Sequence, residues 1–332
     1  MEKYIRDLYS EAILAEARGR YGIAADKIRL LDGFESFMYE FERPDGAFIL
    51  RIGHSRRRSI PLIKGEVDWI NYLAAGGAGV ARAVLSANDR LVEVIEDGCG
   101  GHFLATAFVK ARGGPPTKES WNEALFERYG RLIGRMHALS KDYEPPDPTW
   151  RRPEWDDPLM LDPELWRLPL EPAVVQKFQV LMAYLQSLPK EREGYGLIHQ
   201  DAHGGNFFVD DEGTITLFDF DDCAYSWYIY DIAMVLFYAV ANRPDANDFA
   251  RVFMEHFMRG YRQENWLEPA WLREIPAFLK LREIDLYAII CRDFDVDHIE
   301  HRWTAEFMRG RKEKIENDVP YLDMDFRSLR DA

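Results

Sequence analysis

Strand-like alternation of apolar residues dominates residues 28–109 of this chain, and almost everything after them carries a helical period; that switch constrains the fold more than any other feature. In IRLLDGFESFMYEFERPDGAFILRI, residues 28–52, the aromatics Phe37, Tyr39 and Phe41 alternate. Pro44 to Gly46 supply a turn, and Phe48 to Ile52 form a second apolar run, the pattern of a β-hairpin preceded by a glycine-bearing turn. VLSANDRLVEVIED and GHFLATAFVK read as further strands, with turns at Asn88 and at Gly98 to Gly101. Two helical patterns accompany them. Residues 3–21 place Ile5, Leu8, Ile13, Ala17 and Tyr21 near one face, and Lys64 to Leu73 ends at the glycine-rich AAGGAGV. The expectation is a five-stranded antiparallel sheet with a crossing helix.

ARGGPPT, residues 111–117, breaks this pattern and reads as a connection. Beyond it, Trp121–Leu139, Val174–Leu188, Asp231–Ala241, Phe249–Tyr261, Leu272–Ile290 and Ala305–Asn317 suit helices, and EPPDPTWRRPEWDDP reads as an irregular surface excursion with room for substrate contacts. The fold class is therefore α+β and bilobal: residues 1–111 as one lobe, residues 112–332 as a mainly helical second lobe. A chain of 332 residues that is 47% hydrophobic is long enough to bury a core in each.

Charge and cysteine usage exclude several classes. The net charge of −15 argues against binding to nucleic-acid phosphates. Residues 1–111 hold 15 basic and 16 acidic side chains and residues 112–332 hold 27 and 41, so the acid lies in the second lobe. A solvated surface accounts for that excess; a field drawing in a cationic substrate is the sharper reading. Cys99, Cys223 and Cys291 are far apart and lack C-x-x-C spacing, which fits a reducing compartment, and no long apolar run signals a membrane span or secretion. A cytoplasmic protein, monomer or homodimer, is expected.

The helical half is interrupted once, by IHQDAHGGNFFVDDEGTITLFDFDD, residues 198–222, where FFV and LFDF flank a DEGT turn. As a metallohydrolase, His199, Asp201 and His203 would ligate zinc, with Asp219 or Asp221 completing the shell, although no other histidine stands in a ligand-like pair. As a phosphotransferase, Asp201 would accept the proton of an attacking hydroxyl, while Asn206, five residues on, and Asp219, at the end of a strand, bind magnesium. In that reading His199 orients the loop and His203 either touches substrate or packs.

His199-Gln200-Asp201 to Asn206, followed by Asp219 in LFDFDD, resembles the catalytic loop and metal-binding aspartate of the aminoglycoside phosphotransferase and choline kinase-like family, relatives of the protein kinases. The resemblance implies a protein-kinase-like fold, ATP and Mg2+ as cofactors, and transfer of the γ-phosphoryl group to a hydroxyl. FILRIG resembles the strand that carries the phosphate-binding basic residue, with Arg51 where the family normally has lysine, and Glu66 resembles its ion-pair partner. DGFES, with Gly33 and Ser36, takes the place of the loop over the phosphates. TAFVK takes that of the hinge, where the backbone of Phe108 to Lys110 would bond adenine, and Asp231 in YIYDIA would brace the catalytic loop.

The resemblance implies a small, cationic or amino-bearing acceptor of the aminoglycoside, choline or homoserine kind. AIICRDFDVDHIEHRW offers Asp293, Asp295, Asp297, Glu300, His301 and Trp303 for it, unless this is an ordinary polar helix end. A bacterial protein Ser/Thr kinase of the same family and a non-catalytic binding protein are the alternatives. Arg56-Arg57-Arg58 reads as a solvated charge run and Asp221-Asp222 as a solvated turn.

Overall fold

The computed structural model describes residues 3–31, 33, 35–162 and 171–331. Asp32 and Phe34 of the DGFES turn lie outside the described residues. The first lobe is built on strands β1 (Ile28–Leu31), β2 (Phe37–Arg43), β3 (Gly46–His54), β4 (Ala83–Val84), β5 (Glu93–Glu96) and β6 (His102–Val109). They form one antiparallel sheet in the order β1-β2-β3-β6-β4, with β5 also paired to β6. The sheet has six strands rather than five because the stretch after Ala81 supplies two, parted by the turn around Asn88, and each pairs with a different part of β6.

Alternation in β3 sets what each face does. Phe48, Leu50 and Ile52 are buried with Ile13, Ala17 and Tyr21 of the N-terminal helices α1 (Lys3–Leu8) and α2 (Glu11–Tyr21). The intervening Arg51 faces the crossing helix α3 (Ile60–Ala75) instead. The single helix expected over residues 3–21 is broken at Tyr9 and Ser10, where the Tyr9 ring stacks on Phe37 at 3.6 Å and its hydroxyl meets that of Tyr39 at 2.8 Å. A continuous helix would carry Tyr9 past β2.

α3 is capped by Ser59, whose hydroxyl accepts the Leu62 N–H, and it has a proline in its first turn. One face carries Ile63 and Val67 into a first-lobe cluster with Leu104; the other carries Trp69, Ile70 and Leu73 into the large core of the second lobe. A single helix thus belongs to both cores.

The second lobe contains α4 (Glu123–Ser140), α5 (Pro172–Gln186), α6 (Tyr228–Val240), α7 (Ala246–Tyr261), α8 (Ile275–Asp293), α9 (Arg302–Met308) and α10 (Arg311–Glu316). Two antiparallel pairs lie among them: β7 (Tyr195–Ile198) with β10 (Ala224–Trp227), and β8 (Phe207–Val209) with β9 (Ile215–Leu217). Two expected helices are interrupted. Pro276 restarts the helix at α8 after a 3₁₀ turn over Pro269–Glu274, and Gly310, at φ 62°, separates α9 from α10.

The segment expected to be a surface excursion is partly interior. Arg152 and Trp155 are each only 2% exposed. The Arg152 guanidinium donates to the carbonyls of Leu62 at 3.1 Å, Asp221 at 2.6 Å and Cys223 at 2.9 Å, so it ties α3 to the chain that follows β9. A guanidinium with five donors is suited to collecting carbonyls from separate segments.

Candidate active site

The loop after β7 is held from behind by Asp231, buried in the first turn of α6. Its carboxylate accepts the N–H of His199 at 3.0 Å and of Gln200 at 2.7 Å, and it meets His137 Nε2 of α4 at 3.1 Å. Burial opposes this charge, but the hydrogen bond and charge interaction with His137 hold its pKa below the ordinary carboxylate value. The His137 Nδ1 in turn meets the Tyr261 hydroxyl of α7 at 2.9 Å, so three helices fix one loop. With Gln200 at φ 69°, the chain turns sharply between His199 and Asp201.

His199 is framework. Its Nδ1 accepts the Asp201 N–H at 3.2 Å, its Nε2 donates to the Phe218 carbonyl at 3.1 Å, and burial lowers its pKa and keeps the ring neutral. Both ring nitrogens are spent on the backbone. The hydrolytic metal centre is thereby overturned, since His203 Nδ1 also accepts a backbone N–H, that of Gly205 at 2.9 Å. Among the described residues no three His, Cys, Asp or Glu side chains gather in a metal-binding group.

Asp201 Oδ2 accepts from Asn206 Nδ2 at 3.0 Å, and the same amide nitrogen donates to the Asp201 carbonyl at 2.9 Å. Asp201 Oδ1 is buried with no hydrogen-bond partner among the described residues. Desolvation pushes this carboxyl up to about 7 against the pull of Arg282, with Asp222 and Asp219 adding to the rise. Asn206 is bound through its amide nitrogen, which leaves its carbonyl oxygen for other use, and its backbone carbonyl accepts the Phe218 N–H at 2.9 Å. This bond and that from His199 bring the end of β9 beside the loop.

Asp219 follows at φ 65°, with no hydrogen bond or ion pair to the described residues. The residue is exposed, yet the protein packed around its carboxyl desolvates it and pushes it up to about 6, with Arg51 opposing and Asp221 adding to the rise. Uncommitted oxygens on Asp219 and Asn206 are the hard donor set that a magnesium or calcium ion prefers, and they leave coordination positions for phosphate oxygens. The residues present fit a metal that arrives with a nucleotide.

Arg51 and Glu66 are brought together as a buried two-pronged pair, Nη1 to Oε1 at 2.7 Å and Nη2 to Oε2 at 2.7 Å. The guanidinium carbon lies 5.1 Å from the Phe108 ring centre. Ser36 faces Gly53 of β3, where an added Cβ would stand 3.4 Å from its Oγ. At Gly33 a Cβ would stand 2.2 Å from the Ser36 carbonyl, so this turn admits only glycine.

The hinge departs from expectation. The Val109 N–H donates to Arg82 O at 2.9 Å, the Lys110 N–H donates to Ala47 O at 3.0 Å, and the Lys110 ammonium pairs with Glu40. The first lobe's backbone bonding runs on through Lys110, and these two amides are not free for adenine.

Asp221 and the arginine run also differ from the solvated turn and loop expected. Asp221 is buried and pairs with Arg57 and, at 3.4 Å, with Arg58, while Arg58 reaches Asp222 at 2.8 Å. Although burial opposes its charge, the arginines at 57, 58, 51 and 152 hold Asp221 down at about 2. Arg57 also pairs with Glu35 beside the phosphate-loop turn.

On the acceptor side, the acidic residues offered by the sequence do not converge. Asp293 pairs with Arg292 at 2.6 Å and Asp295 with His298 at 3.2 Å, both in exposed positions, and only Trp303 reaches inward, 6.4 Å from the Tyr238 ring. In their place stands a group that sequence reading missed. Arg282 of α8 pairs with Asp285 at 2.9 Å, donates to the Tyr238 hydroxyl and lies beside Asp201, and the His203 ring packs on Tyr238 at 4.7 Å.

An antiparallel sheet over a helical lobe, with a buried Arg-Glu pair and a loop carrying Asp201, Asn206 and Asp219 between them, defines a bilobal phosphoryl-transfer enzyme of the protein-kinase-like fold. Residues 27–274 match the model of the phosphotransferase enzyme family. The amicoumacin kinase of Bacillus subtilis (strain 168) is 40% identical over 325 residues, covering 97% of this chain and 96% of the relative. A solved amicoumacin kinase in complex with AMP-PNP, Ca2+ and Ami superposes with a TM-score of 0.92 at 36% identity, covering 99% of this chain and 100% of that one. A microcompartment-associated aminopropanol kinase, 24% identical over 93% of this chain and 97% of its own, shares the fold with a TM-score of 0.75. The chain belongs to the phosphotransferase enzyme family. It is an ATP-dependent kinase that uses a divalent metal and a hydroxyl acceptor on a small molecule. Among the described residues no helix is long and apolar enough to cross a membrane.

Proposed function

We propose that this kinase phosphorylates a hydroxyl of amicoumacin or a close chemical relative. The observation that carries the reading is the amicoumacin kinase relative, 40% identical over nearly the whole of both chains. The chemistry follows from the loop. Asp201 receives the proton of the attacking hydroxyl, while Asn206 donates to its Oδ2 and fixes the plane of the carboxylate. Asp219 and the Asn206 carbonyl would hold the divalent metal, which when bound neutralises charge on the phosphates. Arg51, oriented by Glu66, grips the leaving diphosphate, Ser36 covers it, and the segment from Phe108 to Lys110 lies against adenine. Residues 1–111 act as the nucleotide lobe and residues 112–332 as the catalytic and acceptor lobe.

The test is ADP release from ATP and Mg2+ with amicoumacin as acceptor, by the wild type and by Asp201→Asn. Acceptor-dependent ADP release is expected in the wild type, together with loss of at least about 1,000-fold in the variant and an unchanged thermal shift with ATP and Mg2+. An Asp201→Asn enzyme that still turns over at the wild-type rate sinks the assigned role. A wild type that ignores amicoumacin sinks the assigned acceptor.

A further inference from the structure

We infer that Arg152 is a positioning residue for phosphoryl transfer: by holding three backbone carbonyls it fixes the spacing between Glu66, which aims the phosphate-gripping Arg51, and the metal-binding Asp219, so that both grips close on one nucleotide together. The inference deepens the proposed function and rests on its reading of Arg51 and Asp219.

Arg152 acts on both grips through the backbone. Its Nη1 donates to the Leu62 carbonyl of α3 at 3.1 Å, its Nη2 to the Asp221 carbonyl at 2.6 Å and its Nε to the Cys223 carbonyl at 2.9 Å. Leu62 lies one turn before Glu66, and in an α-helix its carbonyl is the one that accepts the Glu66 N–H; Arg152 takes the second lone pair of that oxygen. Asp221 and Cys223 lie two and four residues beyond Asp219. The Asp219 side chain makes no hydrogen bond or ion pair to the described residues, so its place is set by its flanks. On one flank the Phe218 N–H is bonded to the Asn206 carbonyl at 2.9 Å, and on the other stands Arg152. One side chain thus joins the helix behind the phosphate grip to the chain that carries the metal grip.

The segment that presents Arg152 is itself held still. The Trp155 N–H donates to the Tyr225 carbonyl at 2.9 Å and the Tyr225 N–H to that of Pro153 at 2.8 Å, which ties the segment to β10. Trp155 packs on Trp227 at 5.4 Å, and an added Cβ at Gly65 would stand 1.9 Å from the Trp150 carbonyl, so the backbone before Arg152 touches α3 one residue from Glu66. All hydrogen bonds of Arg152 among the described residues go to main-chain carbonyls, where a charged donor bonds more strongly than a neutral one. A lysine keeps the charge, but its single nitrogen cannot stand at three carbonyls in that fork geometry. Two grips spaced in advance bind a metal nucleotide without an ordering cost, whereas either grip alone is indifferent to the spacing.

Nucleotide binding with and without metal separates this role from general support of the fold, and it needs no acceptor. AMP-PNP is titrated calorimetrically into the full chain in Mg2+ and in EDTA, and the ratio of the two dissociation constants gives the gain due to the metal. Mg2+ is expected to tighten binding to the wild type, and Asp219→Ala to abolish that gain. Arg152→Lys is expected to cut the gain at least about tenfold while binding in EDTA changes by less than about threefold. Arg152→Gln, which keeps one amide donor, is expected to do the same and carries the comparison if the lysine variant does not fold. In the Asp219→Ala background Arg152→Lys has no gain left to remove. Ile315→Ala, in the core where α10 meets α5, α8 and α9, serves as the control that lowers the melting temperature and leaves the gain unchanged. Equal losses with and without Mg2+, a gain that Ile315→Ala reduces as much, or a folded Arg152→Lys that keeps the full gain overturns the inference. A gain that is absent in the wild type or survives Asp219→Ala removes the reading of Asp219, and the inference with it.

Discussion

Asp201 is a carboxylate that folding makes harder to ionise, and this has a consequence for stability. Its pKa is pushed up to about 7 in the folded chain, against roughly 3.9 in an unfolded one. The folded state therefore binds this proton more tightly than the unfolded state, so the penalty is absent below pH 4, grows as pH rises, and is complete above pH 7. Asp201→Asn removes it. The variant is expected to be more stable than the wild type at pH 8 by about 1–2 kcal/mol, a figure discounted for solvent screening, with the excess vanishing toward pH 4. Urea melts at the two ends of that range measure it, and a difference that does not change with pH goes against the assignment. The roles proposed for Asp201, Asn206 and Asp219 were readable because their spacing is local, within one loop and hairpin. Arg282, Tyr238 and Asp285 were not, since each looks like an ordinary member of its helix until α6 and α8 are packed. Arg57 read as part of a solvated charge run because its partner Asp221 is 164 residues away.

At the scale of elements, the crossing of α4 and α7 sets how firmly the catalytic loop is held. An added Cβ at Gly130 would lie 1.8 Å from the Phe257 carbonyl oxygen, and one at Gly260 would lie 1.8 Å from that of Glu127. The two backbones touch there, which brings Tyr261 to His137 and so to Asp231. Gly130→Ala is expected to cost about 3 kcal/mol or more by forcing the helices apart, and to lower kcat as the brace on the loop loosens. Gly19→Ala in α2, where nothing lies within 4 Å, serves as the control and should gain up to about 1 kcal/mol. Equal melting temperatures for the two variants would show that the crossing tolerates a methyl group. Periodicity revealed these helices and the β2–β3 hairpin. It missed the breaks at Ser10 and Gly310, which answer to tertiary packing and to one left-handed residue, and a two-residue strand such as β4 has no period to detect.

For the whole molecule the question is whether the lobes unfold separately. α3 buries Trp69, Ile70 and Leu73 in the second lobe's core while Ile63 and Val67 stay with the first. β9 adds a backbone link, Leu217 accepting the Ala81 N–H at 2.8 Å and donating to Gly79 O at 2.9 Å. Arg57 and Arg58 then reach from the first lobe to the buried Asp221, while Arg152 holds that residue's carbonyl and the Leu62 carbonyl of α3. Apolar burial and buried charge both span the cleft, so the wild type is expected to melt in one calorimetric transition. Asp221→Asn leaves Arg57 and Arg58 without their shared carboxylate. Removing one side of a buried ionic cluster costs about 3–5 kcal/mol. Because Arg57 also holds Glu35 beside the phosphate-loop turn, KM for ATP should rise severalfold while KM for the acceptor stays near its wild-type value. Two separated transitions in the wild type would break the argument from α3, and an Asp221→Asn enzyme with unchanged melting temperature and unchanged KM for ATP would reduce the arginine cluster to a surface feature.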